Sequence, residues 1–144
     1  MKAIHNTNSE TRIEKFDLQN RGLNTISNIN SDNAFRLAGC FLGVWFSSQI
    51  IDSYKFAHEY ELNDSDYMVL DSLDELESYM QEEIQKIEYV TAYELFKNTE
   101  KLIDLVSRVR ENILSQGYTG ISITNDDEFD CESLIALDLD TINQ

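Results

Sequence analysis

The chain reads as an α+β fold. Short apolar strand candidates sit at both ends of the 144 residues, most helical patterning lies between them, and strands and helices do not alternate regularly. Regular alternation would point to a doubly wound parallel sheet with helices on both faces. Segregation instead predicts a split antiparallel β core, in which the C-terminal strands meet the N-terminal ones, with helices in the middle. A single domain over 1–144 follows from the length, which suffices for one hydrophobic core.

The elements follow in order. Ala3–His5 is a short strand candidate, and Arg12–Asp17 is a strand or a packed turn. Residues 19–33, rich in Asn, Ser and Thr and holding Gly22, read as a long polar loop. Phe41–Phe46 is a continuous apolar run bounded by Gly39 and Ser47, which suits a buried strand. Ile50, Tyr54, Ala57 and His58 recur at helical spacing and predict a helix over 49–60, with Tyr54 as core packing. Tyr67–Leu70 is another strand.

Ser72 and Glu75 form a capping box: the serine oxygen accepts from a free helical N–H while the glutamate reaches back. A helix over about 73–86 follows, and Thr91 with Glu94 repeats the device. Leu102, Leu105, Val106, Val109 and Ile113 make one apolar stripe that stops before Gly117, a C-cap glycine. Gly120–Thr124 and Leu134–Leu137 read as two strands joined by an acidic loop. There is no proline, so glycine, asparagine and polar clusters must punctuate the chain.

Composition narrows the function classes. The formal net charge is −16, from 27 acidic against 11 basic residues. A nucleic-acid binder carries a basic stripe to neutralise phosphates, and none is present. Three readings of the acidity remain: a solvated surface, a field that steers a basic protein partner, or a mimic of DNA. No apolar run approaches the roughly 20 residues of a membrane-spanning helix. The N-terminus lacks the apolar segment of a secretory signal, and Cys40 and Cys131 are too few for a disulfide framework. These features predict a cytoplasmic, free-thiol protein.

Three pieces carry chemistry. The first is His5-Asn6-Thr7. The second is Gly43-Val44-Trp45-Phe46-Ser47-Ser48, followed by Ala57-His58-Glu59-Tyr60. The third is Gly117-Tyr118-Thr119-Gly120-Ile121, then Ser133-Leu134-Ile135-Ala136-Leu137-Asp138. Read alone, His5 ends a strand and Trp45 and Phe46 are core aromatics. Their order and spacing resemble the NAD-binding core of ADP-ribosyltransferases of the diphtheria-toxin and poly(ADP-ribose)-polymerase type, including small phage-encoded members such as an anti-CRISPR transferase.

The resemblance covers the first 60 residues and about the last 28, which leaves the helical stretch over about 71–116 as an insertion. It implies that His5 bonds a ribose hydroxyl and that Asn6, standing where the family has glycine, grips the nicotinamide carboxamide through its backbone. Thr7 and Ser47 supply further hydrogen bonds. Trp45, Phe46 and Tyr60 implicitly hold the nicotinamide ring, by stacking on a flat, partly cationic face. The family's catalytic glutamate falls on Ser133, so Glu132, one residue earlier, and Asp126, at the end of the preceding strand, are the candidate catalytic acids. A one-residue shift in a strand reverses the side chain's face, and a bulge can restore it. A carboxylate is needed because losing nicotinamide develops oxocarbenium character at the ribose.

The implied function is an NAD-dependent transferase, with NAD as co-substrate, that modifies a host macromolecule, most simply a protein, as a phage anti-defence factor acting in the host cytoplasm. The alternative is a non-catalytic acidic binding protein that occludes a basic partner. Asp126, Asp127, Glu128 and Asp130 offer oxygen ligands but lack the central glycine of an EF-hand, and the histidines and cysteines lack zinc spacing, so no metal is predicted. There is no P-loop and no dinucleotide glycine fingerprint.

Overall fold

A computed structural model describes residues 1–18 and 23–143. Their strands are β1 (Lys2–Thr7), β2 (Val44–Ser47), β3 (Phe56–Leu62), β4 (Tyr67–Ser72), β5 (Gly120–Asp126), β6 (Cys131–Ala136) and β7 (Ile142–Asn143). Their helices are α1 (Ala34–Ala38), α2 (Leu73–Ile87), α3 (Ala92–Lys97) and α4 (Thr99–Ser115). The α+β class holds, but the β core is not split. The strands make one continuous sheet in the order β4-β5-β6-β2-β1-β3-β7. It is mixed, because β4 and β5 run parallel while the other pairs are antiparallel. The parallel pair is made possible by the helices between its strands, since the crossover carries the chain back to the end of the sheet where β4 begins.

The helix starts are built as the sequence dictates. Ser72 accepts from the Glu75 N–H at 3.2 Å, and the Glu75 carboxylate accepts from the Asp71 N–H at 2.6 Å, one residue before the cap. Thr91 accepts from the Glu94 N–H at 3.2 Å, and Asn98 caps α4 by accepting from the Lys101 N–H. Gly117 ends the helical segment at φ +96°, a left-handed value that glycine adopts without strain.

The two faces of the sheet are covered unequally. On one, α1, α2, α3 and α4 pack on Leu70, Ile121, Ile123 and Ile135, and Met80, Ile84, Leu102 and Val109 are fully buried. Residues 73–115 therefore supply the main core layer, because their apolar stripes have only the sheet to cover them. On the other face, Ala3, Val44, Phe46, Tyr60 and Leu134 are covered thinly by Phe16, Ile13 and the C-terminal residues Leu139 and Ile142.

Several local expectations change. The helix expected over 49–60 is absent: residues 52–55 turn, and Phe56–Leu62 is strand β3. Its pairing with β1 runs the length of both strands and overrides the helical spacing. Tyr54, expected in the core, is 39% exposed in that turn. Phe41 belongs to a 3-10 turn, Gly39–Phe41, and the strand starts at Val44. The segment 12–17 is an irregular covering stretch with no strand. Of the polar loop over 19–33, residues 19–22, Gly22 among them, lie outside the described residues. Leu23–Asn28 forms a 3-10 turn, and Asn30 and Asn33 exchange side-chain bonds that lead into α1.

Candidate functional site

Register decides which residues can meet. Ile4 pairs with Ser47, so Ile4, Asn6, Trp45 and Ser47 point to the helical face, while Ala3, His5, Thr7, Val44 and Phe46 point to the other. His5 joins Phe16, Phe46 and Tyr60 in an edge-to-face cluster, with ring centroids 5.2, 5.8 and 6.4 Å from its own. Tyr60 donates its hydroxyl to the Ile13 carbonyl at 2.7 Å, and Arg12 lies 4.0 Å over its ring. Phe16 fills the middle of this cluster, 5.7 Å from Phe46 and 5.1 Å from Tyr60.

The expected pairing of His5 with Trp45 is not formed. Trp45 packs against the helical core from the opposite face, and its indole N–H donates to the Gly39 carbonyl at 3.0 Å. A sheet separates the imidazole from the indole, so the two cannot hold one ring between them. Tyr60 reaches His5 from strand β3 rather than from a helix, and its ring is 2% exposed. Asn6 and Ser47 bond each other, at 2.7 Å from the Asn6 amide to the Ser47 oxygen, and Asn6 also accepts from the Ile51 N–H. Thr7 accepts from the Ser9 N–H at 3.1 Å.

The candidate acids lie on the β5–β6 hairpin, and β6 is joined to β1 through β2. Asp126 and Glu132 line a cleft of about 240 Å3 with Ser48, Gln49, Thr124, Asn125, Asp127, Asp130 and Cys131. Their carboxylates are held apart. Ser122 donates to Glu132 at 3.0 Å on the aromatic-cluster face. Ser133 donates to Asp126 at 2.6 Å on the helical face, and the buried Asp126 carboxylate also accepts from the Glu128 and Phe129 N–H groups. A register shift between Ile123 and Asp126 provides an irregularity of the kind expected near Glu132. Asp126 thus closes the hairpin turn that carries Asp130 at φ 53°, a conformation aspartate tolerates. The Cys131 thiol is pushed up by burial and by Asp126, so it is held away from the reactive thiolate form.

No protein-family model, curated protein or solved structure matches this chain.

The geometry therefore stands by itself. It gives a closed aromatic cluster, a lone indole on the far face and an acidic cleft. The sequence placed Phe16 only within the 12–17 segment and Ser133 only at the glutamate position, and did not report that Phe16 fills the cluster or that the Ser133 hydroxyl fixes Asp126. Among the described residues no group of three or more His, Cys, Asp and Glu is arranged to hold a metal ion. No helix among them is long and apolar enough to cross a membrane.

The cluster makes one measurable demand. His5 has its proton affinity lowered by burial among aromatic rings, and secondarily by His58, and its buried Nδ1 has no hydrogen-bond partner among the described residues. Unfolding returns it to its ordinary value of 6.5. The unfolded chain therefore binds the proton more readily, and stability rises with pH through this window. His5 contributes fully above about pH 6.5 and loses its contribution as pH falls toward its lowered folded value. Thermal melts at about pH 7.5 and 5.5 should show a larger acid-induced loss in the native protein than in His5→Phe. Equal losses would place His5 in water.

Proposed function

We propose that the chain is a non-catalytic acidic binding protein that occludes a basic surface of a protein partner. The observation that carries this reading is the net charge of −16 together with where exposed acids gather. β4 and β5 are parallel, so their C-terminal ends lie side by side, with Ser72 paired to Asn125. Asp71 lies near the end of β4, and Asp74 and Glu75 follow it; Asp127, Glu128 and Asp130 follow β5, and all six are exposed. Arg36 is the cation that reaches this end, bonded to Asp74 at 2.9 Å and within 3.7 Å of Glu77. A concentrated field of one sign accelerates encounter with an oppositely charged partner and repels nucleic acid. The separation of His5 from Trp45 removes the support that an NAD clamp would have lent to the transferase reading.

Two measurements test it. The immobilised protein should retain basic proteins at about 0.05 M salt and release them by about 0.5 M, since screening shortens the reach of surface charge. Calorimetric titration with NAD should give no binding heat. Saturable heat with NAD would return the transferase to first place, and failure to retain any basic protein would end the binding reading.

A further inference from the structure

We propose that the outer edge of β4 takes up an extended cationic segment of the partner as an added strand. This rests on the acidic-binder reading above and specifies how the partner is held. β4 terminates the sheet, and among the described residues no strand pairs with its far side. The strand, Tyr67-Met68-Val69-Leu70-Asp71-Ser72, carries no proline, no lysine and no register shift against β5. Those are among the devices that normally blunt an edge; the one charge on the strand, Asp71, repels an acidic strand but admits a cationic one.

The opposite edge is treated differently. β7 is two residues long, and beyond it Arg12 donates to the Glu59 carbonyl at 3.0 Å. Protection of β4 is confined to its two ends, where Asp64 and Glu75 take the Tyr67 and Asp71 N–H groups, and this marks the middle of the strand, around Val69, as available for strand addition.

Backbone direction agrees. The Tyr67 N–H is bonded to the Asp64 carbonyl at 3.1 Å, and the Asp71 N–H to the Glu75 carboxylate at 2.6 Å. Both point away from β5. Alternation along the strand turns the Val69 N–H and C=O the same way. The Val69 side chain is 69% exposed, an apolar residue standing open on a sheet face. Asp66 precedes this centre and Asp71, Asp74 and Glu75 follow it, all exposed.

The complementary occupant has apolar or β-branched residues in its middle and Lys or Arg on both sides. A second copy of the chain is the wrong occupant. Antiparallel self-pairing centred on Val69 would bring together two acidic flanks from molecules that each carry −16.

The test uses the full chain and the labelled peptide Arg-Lys-Thr-Val-Thr-Val-Lys-Arg, with an equally charged analogue in which both valines are proline. Fluorescence anisotropy should show the first bound about tenfold more tightly than the second, because proline cannot donate to the edge. Val69→Pro should lower the first affinity to that of the analogue. Val69→Lys, which keeps the N–H, should weaken it by like charge, while Ile50→Lys, at another exposed apolar position, should weaken it less. Peptide should also slow exchange of the Val69 amide in the native protein.

Unchanged affinity in both Val69 variants would overturn the β4 assignment while leaving the acidic-binder reading intact. Absence of binding to either peptide would overturn both. A native dimer that Val69→Pro dissociates would give the edge to a second copy and overturn the cationic occupant.

Discussion

Gly43→Ala should destabilise the protein by about 3 kcal/mol, a large share of what a domain of this size has in total. A Cβ at residue 43 would stand 2.2 Å from the Ala136 carbonyl oxygen and 3.0 Å from its carbon. That oxygen belongs to β6, whose Ala136 is paired with Val44, so neither strand can move without loosening the ladder between them. Gly39→Ala is the control. Its Cβ would meet Leu76 Cδ2 at 3.0 Å, the end of a side chain that can rotate. Thermal melts should place Gly43→Ala about 10 °C below the native protein, with Gly39→Ala much nearer to it. A native-like melt for Gly43→Ala would mean that β2 and β6 do not approach as closely as described.

Asp126→Ala should cost about 3 kcal/mol, through loss of bonds to a buried carboxylate rather than through loss of chemistry. The carboxylate is 1% exposed and accepts from a hydroxyl and two backbone N–H groups. Its removal strands the Ser133 hydroxyl in the core and frees the turn at residues 127–130. Glu132→Gln is the informative partner, because the Glu132 carboxylate accepts from the Ser122 hydroxyl and an amide oxygen can still accept. Denaturant unfolding should separate the two variants clearly. Equal, small losses would return Asp126 to the list of groups free for chemistry.

Much of the helical layer was legible in the chain. Ser72, Thr91 and the stripe from Leu102 to Ile113 carry their own local instructions, since caps and helical spacing act within a few residues. The hairpin of β5 and β6 was legible for the same reason. β3 was not, because Ile50, Tyr54 and Ala57 imitate a helical period. The alternation of Phe56, His58, Tyr60 and Leu62, which the sheet uses, lies in the same stretch.

The candidate site failed at a longer range. Whether His5 and Trp45 share a face depends on the pairing of Ile4 with Ser47. A shift of that pairing by one residue would have put them together. No spacing within either segment reports it. Asp126 was legible as an acid of interest, but its bond to Ser133 follows from the bulged register between β5 and β6 and not from composition.

The place of β2 between β1 and β6 has a consequence for synthesis. The ribosome delivers the first three strands early, yet one side of β2 stays without its neighbour until residues 131–136 have been translated. Throughout that interval the nascent chain displays an unfinished ribbon rich in apolar side chains, the kind of species that misassociates. Completion of the sheet must therefore wait for β6, and chains truncated before residue 131 should be cleared or aggregate rather than accumulate as a half-built protein.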